Sequence, residues 1–242
     1  MANLLDYLDW RGDLTLAERP FNEVDNLLLA ELSYLEFGGA VPDHFSQSVT
    51  LREAVDKYDA QRPSDEMGVL VPDQIPLLAR RMAASARFGG MRLCGYRSEI
   101  DGEMQMQFSA VSAILPDGRV YAAFRGTDDT IVGWKEDFNL AFLPVVPAQV
   151  KARGYLQEAA AAFSARRMMV GGHSKGGNLA VYAAVFCGEP VQDRIDAVFN
   201  NDGPGFSFPL LERPEHARIA ARIRTIIPES SVIGMLLEHE ET

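Results

Sequence analysis

The chain has 242 residues, 47% of them hydrophobic, and a formal net charge of −11 at pH 7. That length can bury a sizeable core, and the composition is that of an ordinary globular protein. The acidic balance argues against nucleic acid or an anionic membrane surface as a partner, since both select basic patches. The paired basic residues, Arg80-Arg81 and Arg166-Arg167, read as solvated helix ends. Cys94 and Cys187 form neither a disulfide framework nor a metal cluster and read as buried spectators. No apolar run reaches membrane-spanning length. Asp6 and Asp9 stand where a signal peptide would carry basic residues, so the expected location is the cytoplasm.

Residues 1–88 read as a helical annex to the rest of a single domain. Asn22 is placed to cap a stripe of Val24, Leu27, Leu28, Leu32 and Leu35. Thr50 and Glu53 have the spacing of a capping box. Ile75, Leu77, Leu78 and Met82 form a third stripe after Pro72-Asp73, and Gly89-Gly90 ends the helical pattern. In the sheet core, residues 89–242, the period changes: Met104, Met106 and Phe108 alternate with polar residues, as in a strand. Turn signals at Asp101-Gly102 and Pro116-Asp117-Gly118 separate strands at about 91–98, 103–115 and 119–124. Helices are then expected near 130–139, 150–165, 175–187 and 212–221, with strands at 168–172, 196–201 and 222–227. Consecutive strands joined by turns pair antiparallel, whereas helix–strand alternation gives parallel strands. The fold class is therefore α/β, with a mixed, mostly parallel sheet flanked by helices.

The most informative stretch is Val170-Gly-Gly-His-Ser-Lys-Gly-Gly-Asn-Leu179, which sets Ser174 in a G-x-S-x-G frame. Met168-Met169-Val170 precedes it as a buried strand would, and Leu179, Tyr182, Ala183 and Phe186 follow at helical spacing. A serine at such a strand-to-helix turn is the nucleophile elbow of an α/β hydrolase. A Cβ at Gly172 or Gly176 would collide with the neighbouring strand or helix. The competing reading is a glycine-rich turn without chemistry.

An elbow serine needs two oxyanion donors. One is the N–H of the next residue, Lys175; the other comes from a loop after an earlier strand. Val120-Tyr-Ala-Ala-Phe-Arg-Gly-Thr127 ends a strand at the right kind of place, so Thr127 is the candidate, its hydroxyl a further donor. By itself this stretch reads equally well as a polar turn.

F-R-G-T with W-x-x-D downstream, then G-H-S-x-G-G-x-L-A, resembles the class 3, or fungal-type, lipases over about residues 119–234. The opening D-Y-L-D-W-R-G-D and P-F-N-E-V-D-N-L-L-L-A-E-L-S-Y are similar to a bacterial branch of uncharacterised relatives of those lipases. The resemblance implies an α/β-hydrolase fold and an oxyanion role for Thr127. It also implies that Trp134 and Asp137 belong to a structural helix beside the site. Lys175 departs from the family, where an apolar residue is frequent. Its side chain is expected in solvent; the alternative is an ammonium at the mouth of the site that would favour carboxylate- or phosphate-bearing substrates.

The triad order is Ser, acid, His. Asp202, at the carboxyl end of the strand Val198–Asn201, is favoured as the acid. Glu229 after the next strand is the competitor and lies nearer the family's position. Of the four histidines, His44 reads as a surface residue, His173 as turned away by the elbow, and His216 as lying on an exposed helix start. His239 is the candidate base within the chain. The family's histidine follows one further strand, so the favoured expectation is that it lies beyond residue 242; its loss is the third reading. The apolar segments Leu140–Pro147 and Phe206–Leu211 read as an acyl pocket, a lid or plain connections. The expected function is a serine hydrolase of carboxylic esters, lipid-like ones included, that needs no cofactor and no metal. The alternatives are a non-catalytic interaction protein on the same scaffold and a serine acyltransferase.

Overall fold

The computed structural model describes residues 3–62, 67, 73–127, 130–140, 142–206, 210 and 212–229. The annex supplies α1 (Leu4–Arg11), α2 (Glu23–Leu32), α3 (Leu51–Gln61) and α4 (Ile75–Ala84). Side-chain caps start the first three: Asn3 with Asp6, Asn22 with Asp25, and Thr50 with Glu53 each form a reciprocal capping box. Each box satisfies amide donors that the first helical turn leaves open. Two of these caps were anticipated, whereas α1 was not separated from the rest of the annex.

Seven strands form one sheet: β1 (Val49–Thr50), β2 (Arg92–Asp101), β3 (Met106–Ile114), β4 (Val120–Phe124), β5 (Met168–His173), β6 (Ile195–Asn201) and β7 (Ile223–Ile226). They lie in sequence order. The pairs from β1 to β4 are antiparallel and those from β4 to β7 parallel. At the β2–β3 turn, Asp101 Oδ1 accepts the amides of Glu103 and Met104. At the β3–β4 turn, Gly118 has φ 89°, a conformation that glycine adopts without a Cβ penalty. Between the parallel strands run α5 (Ile131–Leu140), α6 (Pro147–Ala162), α7 (Lys175–Phe186), the single turns α8 (Glu189–Gln192) and α9 (Pro214–Ala217), and a 3₁₀ turn at Ala220–Arg222.

Period-two alternation divides the core into two layers. Tyr121, Ala123, Met169, Ala197 and Phe199 face the annex and pack with Leu28, Leu32, Leu35 and Met82. Val120, Ala122, Phe124, Val170 and Val198 face α6 and α7, meeting Leu156, Leu179 and Ala183. Arg87 and Asp25 form a fully buried ion pair within the annex, with Nε–Oδ1 at 2.7 Å. The guanidinium also donates to the carbonyls of Leu14, Arg19 and Pro20, so its remaining N–H groups are satisfied where water is excluded.

Two expectations need correction. The helix expected over 212–221 is only α9 and the 3₁₀ turn, because Pro214 opens a helix and the return to β7 at Ile223 leaves room for one turn. His216 is 5% exposed rather than at an open helix start. Among the described residues, no helix is long and apolar enough to cross a membrane.

Candidate active site

Ser174 joins β5 to α7 with φ 54° and ψ −131°, strained angles for a residue with a side chain. Its amide donates to the Asn201 carbonyl at 2.9 Å, and its own carbonyl accepts the Gly177 amide at 2.8 Å. Such a turn needs close backbone approach. A Cβ on Gly172 would lie 2.4 Å from the Phe124 oxygen and from Gly176, and one on Gly176 would lie 2.1 Å from the Phe124 oxygen. Both glycines therefore exist for the steric reason that the motif implied. Gly126 approaches from β4, and a Cβ there would lie 3.2 Å from the Ser174 Cβ. The strand end carrying Thr127 thus runs directly against the candidate nucleophile.

Thr127 is 8% exposed. Its hydroxyl donates to the two carboxylate oxygens of Asp137 on α5, at 2.7 and 2.6 Å. The hydroxyl proton is thereby committed to Asp137, which corrects the expectation of an extra donor for the site. It also gives Asp137 a task that the sequence reading missed: it fixes the residue that would present the oxyanion amide.

Lys175 differs most from expectation. It is 1% exposed, neither in solvent nor at a site mouth. Its ammonium donates to Glu136 Oε2 at 2.8 Å, to the Gln107 carbonyl at 2.9 Å and to Gln107 Oε1 at 2.6 Å. Glu136 is 0% exposed and also accepts the amides of Gln107 and Ala148, both at 3.0 Å. The reason lies in α5, which buries Gly133, Glu136 and Leu140 while exposing Ile131, Trp134 and Phe138. Its apolar stripe faces out and its carboxylate faces in, so a lysine was needed beneath it.

Asp202 follows β6 with φ 54°, and its amide donates to the Ile226 carbonyl at 2.8 Å. Asn201 stands beside His173 in the parallel ladder, which sets Asp202 on the strand next to the one that ends at Ser174. The loop after it crosses the elbow: a Cβ on Gly203 would lie 2.6 Å from the Ser174 carbonyl oxygen. Asn178 of α7 holds this loop by donating to the carbonyls of Pro204 and Gly205. Glu229 is exposed, just past β7 and one strand farther from the elbow than Asp202. His239 lies outside the described residues. Among the described histidines, His44 is exposed beside Ser46, and His173 Nδ1 lies 2.9 Å from the Tyr34 hydroxyl. Phe142, Leu143 and Val145 are exposed, so the 142–145 segment does not pack on the sheet as a plain connection.

A mixed sheet flanked by helices, with a strained serine between a parallel strand and a helix, defines an α/β-hydrolase fold. The family model described as Mbeg1-like matches residues 82–242, well over half of the chain, and the chain belongs to that family. Among solved structures, the chain is similar to a fungal lipase–inhibitor complex described as a model for interfacial activation in lipases, with 12% identity and a TM-score of 0.47 over 88% of this chain and 74% of that one. It is also similar to the native Rhizomucor miehei lipase–propeptide complex, with 13% identity and a TM-score of 0.42 over 84% of this chain and 59% of that one. No curated protein matches the chain.

Proposed function

We propose that the protein is a serine hydrolase of carboxylic esters. The observation that carries this reading is the contact between the strained Ser174 turn and the Gly126–Thr127 strand end. In this mechanism Ser174 Oγ attacks the ester carbonyl, and the amides of Thr127 and Lys175 stabilise the oxyanion. A histidine takes the serine proton and passes it to the leaving alcohol; water then releases the acid by the same steps. His239 is the candidate base within the chain. Asp202 is the carboxylate we assign to orient it, because it follows the strand adjacent to the elbow strand, whereas Glu229 follows a strand two places from it.

The same observations bear on the substrate. The Lys175 ammonium is neutralised by Glu136, so it offers nothing to a carboxylate or phosphate. The outward stripe of α5, with Ile131 74%, Trp134 55% and Phe138 68% exposed, is tied to Thr127 through Asp137. An apolar acyl chain in a neutral, lipid-like ester suits that surface. The test is a series of p-nitrophenyl esters of increasing acyl length on the wild type and Ser174→Ala. Turnover that rises with chain length and vanishes in Ser174→Ala supports the reading. Equal rates for the two proteins would refute it and leave a binding module on a hydrolase scaffold.

A further inference from the structure

We infer that Tyr34, supplied by the annex, is a positioning residue of the active site: its hydroxyl bonds to His173 and packs on Gly126, and so holds the oxyanion strand against the nucleophile turn. This rests on the hydrolase reading above. Tyr34 follows α2 and is 7% exposed. Its hydroxyl lies 2.9 Å from His173 Nδ1 and packs against Gly126. The two neighbours belong to different strands. Gly126 precedes Thr127 at the end of β4, and His173 precedes Ser174 at the end of β5. One hydroxyl therefore bridges the two strand ends that would carry the oxyanion donor and the nucleophile.

A phenol is the stronger donor and an imidazole nitrogen the stronger acceptor, so the proton of this bond is assigned to the Tyr34 hydroxyl. That assignment puts the His173 ring proton on Nε2. Burial, and after it the charge of Glu31, raise the Tyr34 pKa, so the phenol keeps its proton. The Glu31 carboxylate stands 3.9 Å from His173 Nδ1 and lies beside the same pair. The tie is tight, because a Cβ on Gly126 would lie 2.3 Å from the Tyr34 hydroxyl. A second anchor runs in parallel. Asn26 of α2 donates to Asn201 Oδ1 at 2.7 Å, and Asn201 supplies the carbonyl that receives the Ser174 amide. The annex thus does more than cover one face of the sheet; it sets the spacing of the site.

The test has two parts. Tyr34→Phe keeps the ring that packs on His173, with centroids 5.9 Å apart, and removes only the hydroxyl. Fluorophosphonate modification of Ser174 in this variant should slow about tenfold, the equivalent of one positioning hydrogen bond. In ester turnover the loss should fall on kcat and leave KM within a factor of about two, as expected for an interaction felt in the transition state. Combining Tyr34→Phe with His173→Asn should cost no more than the larger single loss, since the two act as one unit. An unchanged modification rate in Tyr34→Phe, or additive losses in the double variant, would overturn the inference and leave the hydrolase reading intact. Failure of the wild type to react would remove both. The second part needs no variant. Long-range 1H–15N correlation spectra of the wild type should place the His173 proton on Nε2. A proton on Nδ1 would contradict the tie even if Tyr34→Phe failed to fold.

Discussion

Replacing Lys175 by methionine tests the least expected part of the structure, the ion pair beneath α5. Lys175 and Glu136 are 1% and 0% exposed and 2.8 Å apart. Methionine fills much of the same volume but leaves the Glu136 carboxylate buried without its cation. Removing one partner of such a pair costs about 3–5 kcal/mol. Glu136 retains the amides of Gln107 and Ala148, so the lower end of that range, about 3 kcal/mol, is expected. For a chain of this size each kcal/mol is about 2–4 °C in Tm, which puts the fall at about 6–12 °C. Adding Glu136→Gln removes the stranded charge and keeps one oxygen, which serves one of the two amides, since these sit on different carboxylate oxygens. The freed Gln107 acceptors can take the new carboxamide N–H. The double variant should therefore recover part of the loss. Urea unfolding followed by circular dichroism measures all three proteins, with an unchanged m-value as the control for the denatured state. A loss below about 1 kcal/mol in Lys175→Met, or a double variant that is worse than the single, would refute a buried and coupled pair.

Three further outcomes follow from the geometry. Gly176→Ala places a Cβ 2.1 Å from the Phe124 carbonyl oxygen, so the elbow must shift; soluble yield and thermal midpoint should both drop, and a wild-type midpoint would contradict the close approach. Thr127→Val removes the hydroxyl held by Asp137 and should slow Ser174 modification about tenfold, whereas Thr127→Ser, which keeps the hydroxyl, should restore most of the rate. Burial pushes the Cys94 thiol up to about 11 and the Cys187 thiol up to about 12. Iodoacetamide at pH 8 should therefore spare both in the folded protein and alkylate both in urea; rapid alkylation of the native protein would refute their burial.

The features legible in the sequence are those set by neighbours in the chain. The elbow showed itself through glycines whose need is steric and local, and the two anticipated caps through spacing within one helical turn. The change from antiparallel to parallel pairing followed from turn residues giving way to intervening helices. What escaped were partnerships across the fold. Lys175 meets Glu136 only because α5 packs on β3 beside the start of α7. The carboxylate at position 136, on the face opposite Ile131, Trp134 and Phe138, is the local signal that could have pointed to a cation partner. Tyr34 and His173 stand 139 residues apart, joined by the packing of the annex on the sheet, which no local pattern encodes. His216 looked open because proline-led single turns usually are; here the turn is folded against α7 and the 3₁₀ turn.

The proposed hydrolase stands on Ser174 as an activated nucleophile. The direct measurement is reaction of the full chain with a fluorophosphonate, followed by intact mass and peptide mapping. One adduct is expected, on Ser174, absent from Ser174→Ala and slowed in Thr127→Val. Absence of an adduct from the folded wild type, or an adduct that persists in Ser174→Ala, would contradict it.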